Sequence, residues 1–109
     1  MTSIDKKKAK KLKIKQRSKR GFADEDTWSF DTYLASVIAG GVRVLQERSF
    51  GYPAGLTEEE WQNILDTIAN GFEYYVEHKF EFDDAFDEPD NQFEVAFKLF
   101  HDYFGHLWD

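Results

Sequence analysis

Cysteine is absent from the chain. That excludes disulfides, thiolate metal sites and thiol nucleophiles, and it is consistent with a reducing compartment. No apolar run approaches the roughly 20 residues needed to span a bilayer. The basic N-terminus is not followed by an apolar stretch, so it does not read as a secretory signal. There is no Gly-rich phosphate loop, no nucleophile elbow and no Cys–His set, and enzymatic activity is not expected. Proline occurs only twice, at Pro53 and Pro89, and internal repeats and convincing strand patterns are missing. Cations are scarce after residue 20: only Arg43, Arg48, Lys79 and Lys98 remain.

What is present divides sharply by charge. Residues 1–20 hold ten Lys/Arg and one acid, whereas residues 21–109 hold four Lys/Arg and twenty acids. The halves carry +9 and -16, which sum to the net -7. This reads as a basic arm (1–20) on an acidic domain (21–109). Eleven Phe, five Tyr and three Trp give that domain ample core material. Each aromatic side chain can bury about 150–250 Å².

In the arm only Ile4, Leu12 and Ile14 are large and apolar, and repulsion among the cations opposes helix. A flexible or frayed segment is expected. Lys6, Lys7, Lys8, Lys10, Lys11, Lys13, Lys15, Arg17, Lys19 and Arg20 are its candidate contacts to nucleic acid or another anionic surface. A solubilising tail, or one folded back on the acidic domain, is the plainer alternative. The arm has no interleaved aromatics, so base stacking is not suggested. Binding of this kind is sequence-independent and weakens steeply with salt.

Beyond Gly21 three amphipathic helices are expected, over about 25–48, 58–80 and 90–107. Asp24 or Asp26 suits the first N-cap. Phe30, Leu34, Val37, Ile38, Val44 and Leu45 supply that helix's apolar stripe. Gly40-Gly41 in mid-helix costs about 1 kcal/mol per glycine relative to alanine, which argues for a closely approaching helix or a kink. Ser49 to Leu56, with two glycines and Pro53, is a connection. Thr57 and Glu60 form a capping box, with Leu56 and Trp61 as its hydrophobic staple. Trp61, Ile64, Leu65, Ile68, Phe72, Tyr75, Val76 and Phe80 follow one face of the second helix. Residues 81–90 form an acidic connection, in which Pro89 suits the first turn of the third helix with Asp87 or Glu88 before it as cap. Phe93, Phe97, Phe100, Phe104 and Leu107 line that helix. The fold expected is all-α, a three-helix up-down-up antiparallel bundle with a basic N-terminal arm.

Metal chemistry is weakly encoded. Asp83, Asp87, Asn91 and Glu94 match positions of a calcium loop, but Ala85 and Glu88 stand where that loop needs an oxygen ligand and a glycine. His101-Asp102 superficially resembles a phosphohydrolase dyad, with only His78 available as a further histidine. His101 and His106 lie roughly 140° apart around a helix, so they share no face. No cofactor is expected.

The aromatics outnumber what a small bundle buries. Trp28, Phe30 and Tyr33 near the first helix start, and Tyr103, Phe104, Leu107 and Trp108 near the chain end, are either covered by other segments or form an exposed interaction patch. Trp28 and Asp31, with Asp83, Asp84 and Asp87 of the acidic loop, are the candidate partner-binding residues. In an up-down-up bundle the first pair faces Phe80 and the acidic loop.

Arg20-Gly21-Phe22-Ala23-Asp24-Glu25-Asp26 with Trp28 and Asp31, then Gly51-Tyr52-Pro53, resemble small uncharacterised proteins of tailed bacteriophages. So do Leu56-Thr57 with Glu59, Trp61, Ile64 and Leu65, and Phe100, Tyr103, Phe104 and Leu107-Trp108-Asp109. The resemblance implies expression in a bacterial host cytoplasm, or a place in the virion, and supplies no catalytic residues. The function expected is a non-enzymatic binding protein that acts on a host or phage partner, with the acidic domain as a DNA-like mimic. The alternative is a structural protein that holds nucleic acid through residues 6–20.

Overall fold

The computed structural model describes residues 2–48, 51–79 and 91–108. Among these the secondary structure is entirely helical. Four α-helices follow one another: α1 (Ser3–Arg20), α2 (Phe30–Arg48), α3 (Glu58–His78) and α4 (Gln92–Tyr103). A 3₁₀ segment, Asp24–Ser29, precedes α2, and a 3₁₀ turn, Phe104–His106, follows α4. The chain forms two compact units, Met1–Tyr33 and Leu34–Asp109.

The first unit corrects the expectation of a frayed arm. Residues 3–20 are an α-helix with both ends satisfied. Thr2 caps the N-terminus, accepting from the Asp5 N–H at 3.2 Å, while its hydroxyl donates to the Asp5 carboxylate at 2.7 Å. Gly21 closes the C-terminus at φ 87°, a left-handed conformation that glycine adopts without Cβ strain, and its N–H reaches the Arg17 carbonyl at 2.8 Å. Arg17, Lys19 and Arg20 sit in the last turn, where the helix dipole favours cations. The chain then turns through Phe22 and Ala23 into the 3₁₀ segment, so the α-helical conformation begins at Phe30 and not near residue 25.

In the second unit α3 carries the core. Its capping box is present as expected: Glu60 N–H donates to Thr57 Oγ1 at 3.1 Å, and Thr57 N–H to Glu60 Oε1 at 3.0 Å. Leu65, Ile68 and Ala69 are fully buried, with Trp61 and Phe72 nearly so. Tyr75, Val76, Ile64 and Leu56 pack around them. Gly55, at φ 89°, makes the turn before the cap.

α4 runs antiparallel to α3. Tyr103 meets Trp61 edge-on at 5.6 Å between ring centroids, while Phe93 meets Phe72 and Tyr75 at 5.4 and 4.5 Å. Asn91 caps α4, accepting from Glu94 N–H at 2.9 Å. The expected caps Asp87 and Glu88, with Pro89, lie outside the described residues. The two helices approach most closely where Gly71 faces Ala96. A Cβ on Gly71 would lie 2.1 Å from that of Ala96 and 2.7 Å from the Gln92 carbonyl oxygen. Gly71 is therefore the close-approach glycine of this chain. Gly40 and Gly41, expected in that role, have open space where a Cβ would stand. Because Ala96 takes the centre of the α4 face, Phe97 and Phe104 are pushed to its exposed margin.

α2 contributes to the same core. Its buried residues are Ala35, Ala39 and Val42, with Ile38 partly buried. The expected stripe is rotated off the core, with Leu34, Val37 and Val44 about half exposed. Arg43 fixes this rotation. Its guanidinium donates to Glu73 at 2.9 Å, Asp66 at 2.6 Å, Asn70 at 2.5 Å and Gln46 at 2.9 Å. Asp66, Asn70 and Glu73 form a polar i, i+4, i+7 row on α3, so α2 must turn the Arg43 side of its surface toward them. Arg43 holds the Asp66 carboxyl below the ordinary carboxylate range.

Candidate nucleic-acid interface

The first unit is built from opposite charges at short sequence separation. Arg17 makes a two-point contact with Asp26: Nε donates to Oδ2 at 2.9 Å and Nη2 to Oδ1 at 2.5 Å. Such paired Arg–carboxylate contacts are among the stronger polar interactions. Asp26 is buried, and its Oδ2 also accepts from the Ala23 N–H at 2.7 Å. Arg20 pairs with Asp24, whose N–H donates to Gln16 Oε1 at 2.9 Å and whose Oδ2 accepts from Gln16 Nε2 at 2.9 Å. Lys13 pairs with Glu25 at 2.7 Å. Asp24 and Asp26, expected as helix N-caps, thus bind α1. The Tyr33 hydroxyl donates to the Gly21 carbonyl at 2.5 Å, and the Arg17 guanidinium lies over the Tyr33 ring at 5.1 Å.

Lys13, Gln16, Arg17 and Arg20 follow i, i+3, i+4, i+7 spacing, so they share the face of α1 that meets the 3₁₀ segment. Lys7, Lys11, Lys15 and Lys19 recur every fourth residue on roughly the opposite face, with Lys8 beside them. All five are exposed, and none has an ion-pair partner among the described residues. At 1.5 Å rise per residue the row from Lys7 to Lys19 is about 18 Å long, with about 6 Å between successive lysines. Lys6 and Lys10 flank the Arg17 side. The ten candidate cations therefore divide into three that hold the helix in place and seven that are exposed and make no ion pair among the described residues.

Asp26 reports the anchoring. The Arg17 hydrogen bonds are the main cause that lowers its pKa from 3.8 to about 2, opposed by desolvation and assisted by the Ala23 N–H. A depressed carboxyl contributes stability that is complete above its ordinary value and is lost as pH falls through its folded value. The pairing is thus expected to be intact above about pH 4 and to fail toward pH 2. An NMR titration of the Asp26 carboxyl should show a midpoint near 2. Arg17→Gln should move that midpoint upward; an unchanged midpoint would remove Arg17 as the cause.

Trp28 is the second feature of this unit. Its side chain is 85% exposed. It lines a cleft of about 210 Å³ with Ala9, Leu12, Lys13, Gln16 and the turn Ala23–Glu25. The aromatic residue that α1 lacks in its own sequence is supplied from eight positions past its end. Phe80 and residues 81–90, the expected neighbours of Trp28 and Asp31, lie outside the described residues, as do Asp83, Asp84 and Asp87. Asp31 is an exposed residue in the first turn of α2.

Among the described residues the histidine candidates join no metal-holding group. His101 Nδ1 lies 3.2 Å from Asp102 Oδ1 on the exposed side of α4, while His78 packs against Tyr74. Among the described residues no group of three or more His, Asp or Glu could hold a metal ion. No described helix is long and apolar enough to cross a membrane.

No family model, no curated protein and no solved structure matches this chain.

Proposed function

We propose that α1 binds nucleic acid through its phosphates, without sequence preference. The observation that carries this reading is the exposed lysine row on a helix whose opposite face is already paired with Asp24, Glu25 and Asp26. A helix held by its own ion pairs presents those lysines without first having to order itself. Binding therefore avoids part of the ordering entropy a disordered arm would lose.

The helix suits phosphates better than a lipid surface. Membrane-surface helices need an apolar face opposite the basic one. Ile4, Leu12 and Ile14 point in different directions around α1, and nothing on it is buried. The resemblance to small phage proteins supports a setting in an infected bacterium, where nucleic acid is abundant. It does not alter the chemistry.

Titration of a fluorescent duplex at several salt concentrations tests the proposal. Occupation of four phosphates by Lys7, Lys11, Lys15 and Lys19 should give log K falling with log salt at a slope of about -3.6. Salt-insensitive binding, or no binding of either duplex or single strand at low salt, overturns it.

A further inference from the structure

We propose that the ligand of this surface is single-stranded nucleic acid, with an unpaired base stacked on Trp28. The inference rests on the phosphate-binding reading above and names the substrate class for the same site.

An indole normally buries most of its area, and its N–H usually finds an acceptor when it is covered. Here the ring is 85% exposed, and its N–H has no acceptor among the described residues. Trp28 shares its cleft with Ala9 and Leu12 of α1, which give the ring an apolar floor. Leu12 has Lys8 and Lys15 as its i-4 and i+3 neighbours on the helix surface, with Lys11 and Lys19 beyond them. The aromatic face therefore lies just across one side chain from the lysine row.

Asp24 and Glu25 border the cleft, but Arg20, Gln16 and Lys13 already hold them. Their repulsion of an incoming phosphate is correspondingly reduced. A sugar-phosphate backbone laid along the lysines can turn a base over Leu12 onto the indole. That arrangement joins a basic track to an aromatic platform, the combination by which proteins hold single strands without reading sequence. A duplex keeps its bases stacked inside and offers nothing to Trp28. A groove-bound duplex would be served by the lysines alone.

Trp28→Leu tests the assignment, with oligodeoxythymidine as the single strand and a duplex of equal length as the comparison. The substitution removes an exposed side chain, so helix content by circular dichroism should be unchanged. The wild-type protein should prefer the single strand and show tryptophan quenching on binding it. Trp28→Leu should weaken single-strand binding about ten-fold and lose that quenching, with duplex binding intact. Trp28→Phe, which keeps a smaller stacking face, should fall between. Single-strand binding by Trp28→Leu equal to wild type overturns the stacking assignment and leaves the phosphate reading standing. Binding of neither nucleic acid by the wild-type protein overturns both.

Discussion

Replacing Lys7, Lys11, Lys15 and Lys19 together by glutamine should weaken nucleic-acid binding by roughly a thousand-fold at about 0.15 M salt. Each phosphate neutralised on duplex DNA contributes about 0.9 to the slope of log K against log salt. Removing four such contacts should therefore cut the slope by about 3.6, and the affinity loss follows from that slope. Glutamine has nearly the helix propensity of lysine and takes away like-charge repulsion. α1 should thus remain folded, with its Arg17–Asp26 and Lys13–Glu25 pairs untouched. A retained helical circular-dichroism signal separates lost contacts from a lost helix. Lys98→Gln, a single exposed change on α4, should leave the affinity little altered. If the fourfold variant binds like the wild-type protein, the lysine row is not the interface.

The largest stability effect should come from Phe72→Ala. Phe72 is 2% exposed and faces the rings of Phe93, Phe97 and Phe100 at 5.4, 6.1 and 5.4 Å. Truncating a buried phenylalanine costs about 3–5 kcal/mol, because the transferred area is lost and the cavity only partly closes. The second unit is small, and natural domains hold about 0.05–0.15 kcal/mol of stability per residue. The loss is therefore a large share of what holds α3 and α4 together. Relaxation is restricted at this site, since Gly71 and Ala96 already bring the two backbones into contact one residue away. Urea unfolding followed through Trp61, which lies against Tyr103, should show the midpoint collapse. Phe72→Leu should fall between the two. Trp108→Ala, on an exposed ring, should change stability by no more than about 0.5 kcal/mol. A loss below about 1 kcal/mol for Phe72→Ala would contradict the packing described here.

Several features that spacing along the chain does not fix share one cause. The repulsion among ten cations in residues 1–20 was visible, and taken alone it argues for a frayed arm. The compensating acids are close in sequence, but their role depends on a turn at Gly21 that reverses the chain. Asp24 lies four residues past Arg20, and Asp26 nine past Arg17. The second separation cannot be met along one helix and needs the reversal. Arg43 is similar. It is one of only four cations after residue 20, and Asp66, Asn70 and Glu73 make a polar row along α3. Both signals were legible, but their pairing was not, because it depends on which faces two separate helices turn to each other.

The chain by itself determined its helical class, the Thr57–Glu60 start of α3, the apolar face from Trp61 to Val76 and the separation of positive from negative charge. Each follows from neighbours within one or two helical turns, where periodicity and capping chemistry act directly. Tertiary structure alone decided the rest. It selected Ala35, Ala39 and Val42 as the buried face of α2 over the bulkier stripe beside them. It made Gly71 the contact point and left Gly40 and Gly41 open. It also converted the basic arm into an anchored helix and carried Trp28 to its side. These outcomes turn on burial and ion pairing between segments that meet only after the chain folds back, and hydrophobic spacing does not encode which of two available faces will meet a partner.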